Sequence, residues 1–565
     1  MEASSRQATP DGRPTPAPAD LDPAVGETSK PVAPPTGPSS GTNTSAKDHP
    51  AWANGFLLSF DGGGIRGLSS LFILRELMVQ IQNIEKGDTT EPAEHSFCPM
   101  DYRAPRVNTE PVVNEDGRRK TQRAVPADEQ LEPDRSGPEY KYLPCHYFDF
   151  IAGTSAGGLI AMMLGRLRMT VGHCIEEYIM LGAEVFGKPR LFCARSPLYW
   201  NRGKYHSGNV EKVVNRVARK YNPSVQTQRW ANITLNCPET LCKTGEALTH
   251  LTEAYVFSMV FATQEDDRRP YIFRSYDHKL REGWSGIVLN PGPAAMNPLS
   301  VVGRATSAAP GYFDPLAIGD DMTFLDGGLV ANNPTNYAYD EVRQLQGNRG
   351  PRFVLSIGTG KKNKRSFPTL HRIFPHWAPF ISHELNNKIA ESESADEQMR
   401  IVLDQRQLDV AAFEYDRLTV TTDFGLGWMK LDEWKRKASS NTSTMDAQPI
   451  AQDFKHERDY LLEKRSRHHD TVEFLQTRTK LYLAQDGVQN QLRRLARVLV
   501  HGRRQRSRTW KWEHFATGET WQCPISSDNG CNGDKFNTQR GLEQHLSNRH
   551  REGPHRATRD CVIPY

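Results

Sequence analysis

HYFDFIAGTSAGGLIAMMLGRL (146–167) is apolar on both sides of a short run of small residues. The part up to Ala152 reads as a buried strand, and the part from Leu159 onward reads as a buried helix. Between them, Gly153-Thr154-Ser155-Ala156-Gly157 matches G-x-S-x-G. A serine on a strand-to-helix elbow needs small residues on both sides, because the backbone must bend sharply to present the hydroxyl at the edge of a sheet. Asp149 and the turn also interrupt the stretch, which is too short and broken to span a bilayer.

The same strand–turn–helix rhythm occurs upstream, where GFLLSF (55–60) runs into DGGGIRG (61–67) and then into apolar residues at helical spacing from Leu68 to Ile84. Gly62, Gly64 and Gly67 also fit the dinucleotide pattern G-x-G-x-x-G, but no acidic partner stands about 20 residues on in a second strand. Consecutive glycines can instead turn bare backbone N–H groups toward a developing oxyanion. Downstream, YVFSMVF (255–261), FLDGG (324–328) and FVLSIGTG (353–360) read as further buried strands. Strands alternating with helices predict an α/β fold with a mostly parallel central sheet flanked by helices. Asp326-Gly327-Gly328, taken alone, reads as a turn or a helix cap.

Taken together and in this order, D-G-G-G-x-R-G, G-x-S-x-G and D-G-G resemble the patatin-like phospholipase family. The likeness extends to ATSAAP (305–310), to Asn332-Asn333-Pro334 and to SIGTG (356–360), and so covers roughly residues 54–360. It implies a serine acyl hydrolase that cleaves fatty acyl esters of lipids through an acyl-serine. Ser155 would be the nucleophile and Asp326 the general base, with Gly63, Gly64 and Arg66 lining an oxyanion hole. Gly62, Gly67, Gly153, Gly157, Gly327 and Gly328 complete the motifs. No cofactor for catalysis is implied, and the expected partner is a lipid or membrane surface. An aspartate at its ordinary pKa of about 3.9 is a feeble base at neutral pH, so partial burial of Asp326 is expected. The competing enzyme reading is a Ser-Asp-His triad, which would draw its histidine from His371, His376 or His383.

Composition frames the rest. The chain has 565 residues, a formal charge of +4 and nine cysteines, with a mean hydropathy of −0.63. Residues 1–50 are rich in Pro, Ala, Ser and Thr and read as a disordered tail; 86–144 read as a polar insertion. Residues 361–512 form a charged, helix-prone region with amphipathic EQMRIVLDQRQL (397–408) and TVEFLQTRTKLYL (471–483). The arginines at 493, 494, 497, 503, 504, 506 and 508 read as a solvated helical face, the alternative being a phosphate-binding surface. In FGKPRLFCARSPLYWNRGKYHSG (186–208), aromatic and basic residues interleave, as in a loop that packs or one that meets lipid head groups. No secretory leader is evident at the N-terminus and cysteines are sparse, so the cytoplasm is expected, with membrane association or a nuclear site as variants.

Cys523, Cys531, His545 and His550 form a Cys-Cys-His-His set over 518–552. Phe536 and Leu542 would supply the small core of a zinc finger, and the two histidines stand at helical spacing. Seven residues separate the cysteines where two to four are usual. Zinc is therefore the expected metal, and the finger could contact protein or nucleic acid. Thr538, Gly541 and Gln544, on the finger helix, offer little for reading bases. The reading opposed to an enzyme is a non-catalytic patatin-fold scaffold serving this finger.

Overall fold

The computed structural model describes residues 50–52, 55–87, 137–190, 203–221, 256–279, 288–347, 349–361, 379–406, 413–436 and 469–509. Beyond these it describes 512, 515–516, 519–525, 531, 533–536, 539–553 and 561–564. All of them lie in one unit, His49–Tyr565. The expected tail (1–49), most of the polar insertion, and His371 and His376 lie outside the described residues, as does the side chain of His383.

Chain order begins with β1 (Phe56–Phe60), the glycine loop, α1 (Gly67–Gly87), β2 (Phe150–Thr154), α2 (Ala156–Ala161), α3 (Val171–Phe186) and α4 (Ser207–Tyr221). It continues with β3 (Phe257–Gln264), β4 (Pro270–Arg274), α5 (Leu299–Thr306), β5 (Leu316–Ile318), β6 (Met322–Asp326) and α6 (Thr335–Leu345). β7 (Phe353–Ile357), α7 (Pro379–Arg406), β8 (Glu414–Leu418), α8 (Thr471–Leu483) and α9 (Asp486–Ser507) follow. The sheet runs β5-β6-β3-β2-β1-β7-β8, with β4 paired to β3. Pairings among β3, β2, β1, β7 and β8 are parallel, and those of β4, β5 and β6 antiparallel. The sheet is therefore mixed and mostly parallel, as the alternation of strands and helices predicts.

Both faces are covered, which explains why the strands read as near-continuous apolar runs. Phe56, Leu58 and Phe60 face one apolar core with α1, while Leu57 faces a second with Ala338, Tyr339 and Val342 of α6. A single-residue alternation along β1 thus feeds two layers.

Two expectations need correction. The region from 361 to 512 is not purely helical, since β8 joins the sheet as its edge strand, parallel to β7. The arginine run, moreover, is a solvated face only in part. Val488, Leu492, Leu495, Ala496, Leu499 and Val500 form the buried stripe of α9 against α1, and Arg503 and Arg506 continue the same stripe. Both are fully buried. Arg503 Nε lies 2.7 Å from Glu85 at the end of α1, and Arg506 donates to Asp149 at 2.6 Å. Asp149 Oδ2 also accepts from the Phe56 amide at 2.6 Å, so one carboxylate ties β1, the approach to β2 and α9 together. Arg493, Arg494 and Arg497 are exposed, as expected of the opposite face.

Removing one partner of a buried pair strands the other charge, at a cost of about 3–5 kcal/mol. Arg506→Met should therefore lower the unfolding free energy by about that much in urea titrations. Arg497→Ala, on the exposed face, should change it by less than about 0.5 kcal/mol.

Candidate active site

β2 ends at Thr154, and Ser155 takes the left-handed turn that the elbow demands, with φ 53° and ψ −119°. Only a glycine at 153 permits this, because a Cβ there would strike the Gly157 carbonyl. Thr306, the last residue of α5, supports the turn. Its Oγ1 accepts from the Ser155 amide at 2.7 Å and donates to the Phe261 carbonyl at 2.5 Å. The Thr154 hydroxyl donates to Ala331 O at 2.6 Å on the opposite side.

β6 delivers Asp326 to the same place. Its backbone amide donates to Ala308 O at 3.0 Å, so the ATSAAP segment touches both the serine and the aspartate. Ser155 Oγ donates to Asp326 Oδ2 at 2.7 Å, while Gly328 N donates to Oδ1 at 2.7 Å. Burial raises the aspartate's pKa from 3.8 to about 6, against the lowering effect of those two hydrogen bonds. The carboxylate is thus a stronger base than a solvated one, yet still ionised at neutral pH.

The glycine loop closes the third side. Gly62 N donates to Asn332 O at 2.9 Å, Tyr178 OH donates to Gly64 O at 2.8 Å, and Ile65 N donates to Leu431 O at 2.8 Å. Gly64 has φ 56°, and a Cβ there would collide with the Leu431 carbonyl. Behind the loop, Asp61 takes a two-pronged contact from Arg417 of β8 at 2.7 and 3.1 Å. Asp432 anchors the Leu431 segment through Lys204 Nζ at 2.5 Å and Tyr205 OH at 3.0 Å.

These groups surround one cleft, lined by Gly63, Gly64, Ser155, Asp326, Gly328 and Asn332 with an apolar wall that includes Leu159, Leu181 and Phe313. Arg66 is not part of the lining. Its side chain is wholly buried and its amide donates to Gly63 O at 3.2 Å. Gly67 and Gly157 serve packing, with Gly157 held against the Phe60 and Asp61 carbonyls. No histidine lines the cleft among the described residues. Thr306, Tyr178, Leu431 and Asp432 were not foreseen. ATSAAP held the signal for Thr306, but nothing local marks Leu431, 277 residues beyond the end of the serine's strand at Thr154.

The second constellation is separate. β9 (Glu519–Gln522) pairs antiparallel with β10 (Lys535–Phe536) and with β11 (Val562–Pro564), and α10 (Gln539–His545) follows β10. β11 lies beyond the 552 limit set from sequence. Leu542, Leu546, Trp521 and Cys561 form the small core, with Phe536 half-buried beside it. The ligand atoms of Cys523, Cys531, His545 and His550 lie within 4.8 Å of one another. Tetrahedral zinc at ordinary bond lengths would separate sulfur and nitrogen ligands by about 3.5 Å and two nitrogens by about 3.3 Å. Cys523 Sγ to His550 Nε2 is 3.5 Å, Cys531 Sγ to His545 Nε2 3.3 Å, and the two imidazole Nε2 atoms are 3.2 Å apart. The donor chemistry and spacing are compatible with a closed four-ligand metal site.

Residues 140–339 match the family model described as Patatin-like phospholipase, a stretch containing Ser155 and Asp326 but neither the glycine loop nor Leu431. The chain is 28% identical to calcium-independent phospholipase A2-gamma of Homo sapiens over 39% of this chain and 25% of that protein. To the 85/88 kDa calcium-independent phospholipase A2 of Mus musculus it is 29% identical, over 38% of this chain and 23% of that one. The chain thus spans about a quarter of the length of these relatives. A third relative, probable inactive patatin-like protein 9 of Arabidopsis thaliana, is 28% identical over 39% of this chain and 52% of its own length.

Thr306→Val keeps the shape but leaves the Ser155 amide without its acceptor, a loss of about 1–3 kcal/mol. The expected outcome is at least tenfold slower labelling of Ser155 by a fluorophosphonate, followed by intact-mass spectrometry.

Proposed function

We propose that this chain is a lipid acyl hydrolase working through a Ser155–Asp326 dyad. The observation that carries this reading is the 2.7 Å hydrogen bond from Ser155 Oγ to an aspartate whose pKa burial lifts to about 6. Likeness to proteins named phospholipases supports the substrate class. A relative named as inactive shows why the geometry, and not the likeness, must bear the weight.

Ser155 Oγ attacks the ester carbonyl as Asp326 Oδ2 takes its proton. The negative oxygen of the tetrahedral intermediate then lies against the N–H groups of Gly63 and Gly64, which line the cleft. On collapse, Asp326 returns the proton to the departing alcohol. Water, deprotonated by the same carboxylate, releases the fatty acid from the acyl-serine. Gly328 N occupies Oδ1 throughout, which keeps Oδ2 turned to the serine.

At the C-terminus, Cys523, Cys531, His545 and His550 would hold a structural zinc, since four protein ligands leave no position open for chemistry. Burial of Arg503 and Arg506 removes two cations from any surface offered to nucleic acid, which weighs against the finger-scaffold reading. Among the described residues no helix is long and apolar enough to cross a membrane, so access to lipid would be from the surface.

Ser155→Ala should abolish fluorophosphonate labelling and ester hydrolysis, and Asp326→Asn should lower kcat by roughly 10²–10⁴-fold. Retention of turnover by either variant removes the dyad. Because the base must be ionised, kcat/KM should be lost as pH falls through about 6, where a solvated aspartate would hold its rate to about 4. One zinc per chain by elemental analysis, lost in Cys531→Ser/His545→Ala, tests the finger.

A further inference from the structure

An oxyanion formed at Ser155 needs amides held open toward it, and the glycine loop is built to hold two. Among the described residues the N–H groups of Gly63 and Gly64 meet no acceptor, and both glycines line the cleft. The carbonyls beside them are taken. Thr359 Oγ1 donates to Gly62 O at 3.0 Å, and Arg66 N donates to Gly63 O at 3.2 Å. In a planar trans peptide the carbonyl and the N–H point opposite ways, so a partner on one aims the other. Gly62 O shares its peptide with Gly63 N, and Gly63 O with Gly64 N, so each held carbonyl aims one open amide.

The next peptide, between Gly64 and Ile65, is gripped at both ends. Tyr178 OH donates to Gly64 O at 2.8 Å, and Ile65 N donates to Leu431 O at 2.8 Å. At Gly64, where φ is 56°, a Cβ would collide with that same Leu431 carbonyl, so the loop turns where Leu431 leaves room. Leu431 is seated in turn by its neighbour. Asp432 is buried in the cleft wall, and its Oδ2 accepts from Lys204 Nζ at 2.5 Å and from Tyr205 OH at 3.0 Å. The amides of Lys204 and Tyr205 donate to Gly311 O at 3.2 Å and Tyr312 O at 2.9 Å, just past ATSAAP, which gives the clamp a fixed base. Trp434, two residues on, packs against Gly182 of α3 and gives the segment a second hold.

We propose that Asp432 is a positioning residue for ester hydrolysis: clamped by Lys204 and Tyr205, it seats the Leu431 carbonyl against Gly64 and Ile65 and so keeps the Gly63 and Gly64 amides aimed into the cleft. The inference rests on the acyl hydrolase reading. It adds that turnover depends on a segment beyond residues 140–339, the stretch that the family model matches.

The test uses the full chain and a p-nitrophenyl ester. Asp432→Ala should lower kcat roughly tenfold to hundredfold and leave KM within about twofold, because the aimed amides meet charge only in the transition state. An alkyl trifluoromethyl ketone becomes an oxyanion when Ser155 adds to it, so its affinity should fall by the same factor as kcat/KM. The trifluoromethyl alcohol of the same chain, which has no carbonyl, should bind unchanged. Equal losses for ketone and alcohol, or a raised KM with kcat intact, would overturn the assignment. Should Asp432→Ala fail to fold by circular dichroism, Lys204→Met decides by the same measures, its side chain being 28% exposed; an unchanged kcat there is fatal. Hydrogen exchange at the Ile65 amide, read in Ser155→Ala with and without Asp432→Ala, separates the two readings. Faster exchange in a chain whose parent hydrolyses no ester keeps the brace and sinks the catalyst. Exchange that Asp432→Ala leaves unchanged sinks the brace, whatever the turnover.

Discussion

A left-handed conformation at a residue with a side chain costs about 1–3 kcal/mol and persists only where its surroundings over-determine it. Ser155 is held in that way from three directions. Glycines at 153 and 157 let three backbone segments pass within contact of one another, Thr306 takes the amide, and Thr154 is bonded to the far side of the loop. β2 must lie centrally in the sheet for all three to reach it. Its parallel neighbours β1 and β3 then supply the glycine loop at one side and, through the β3–β6 pairing, the aspartate at the other.

The aspartate shows how opposing electrostatic effects set a useful basicity. Burial alone would make the carboxyl too reluctant to ionise, and two hydrogen bonds alone would make it too weak a base. Burial dominates and the bonds moderate it. In the proposed dyad a histidine is not needed to reach a working value near neutrality.

How much of this was legible depended on distance along the chain. The strand–turn–helix units at 55–84 and 146–167 could be read because every residue that shapes them is local, and the hydrophobic period changes within a few positions. The pairing of Ser155 with Asp326 could be expected only from the order of motifs, since β6 is 171 residues away and joins antiparallel. The arginines of α9 misled. Counted as a run they look solvated, whereas phased with Leu492, Leu495 and Leu499 the residues at 503 and 506 fall on the inner stripe. Leu431 and Asp432 had no signal at all, because a carbonyl that braces a distant glycine requires no particular side chain.

The pairs Glu85–Arg503 and Asp149–Arg506 join residues 418 and 357 positions apart. During synthesis at about 5–20 residues per second, Glu85 emerges roughly 20–85 s before its guanidinium exists. Throughout that interval α1 also lacks the leucines of α9 that will cover it. The part of the chain already made must therefore persist with one side of an apolar helix uncovered and two acids still hydrated until Arg503 and Arg506 have left the ribosome.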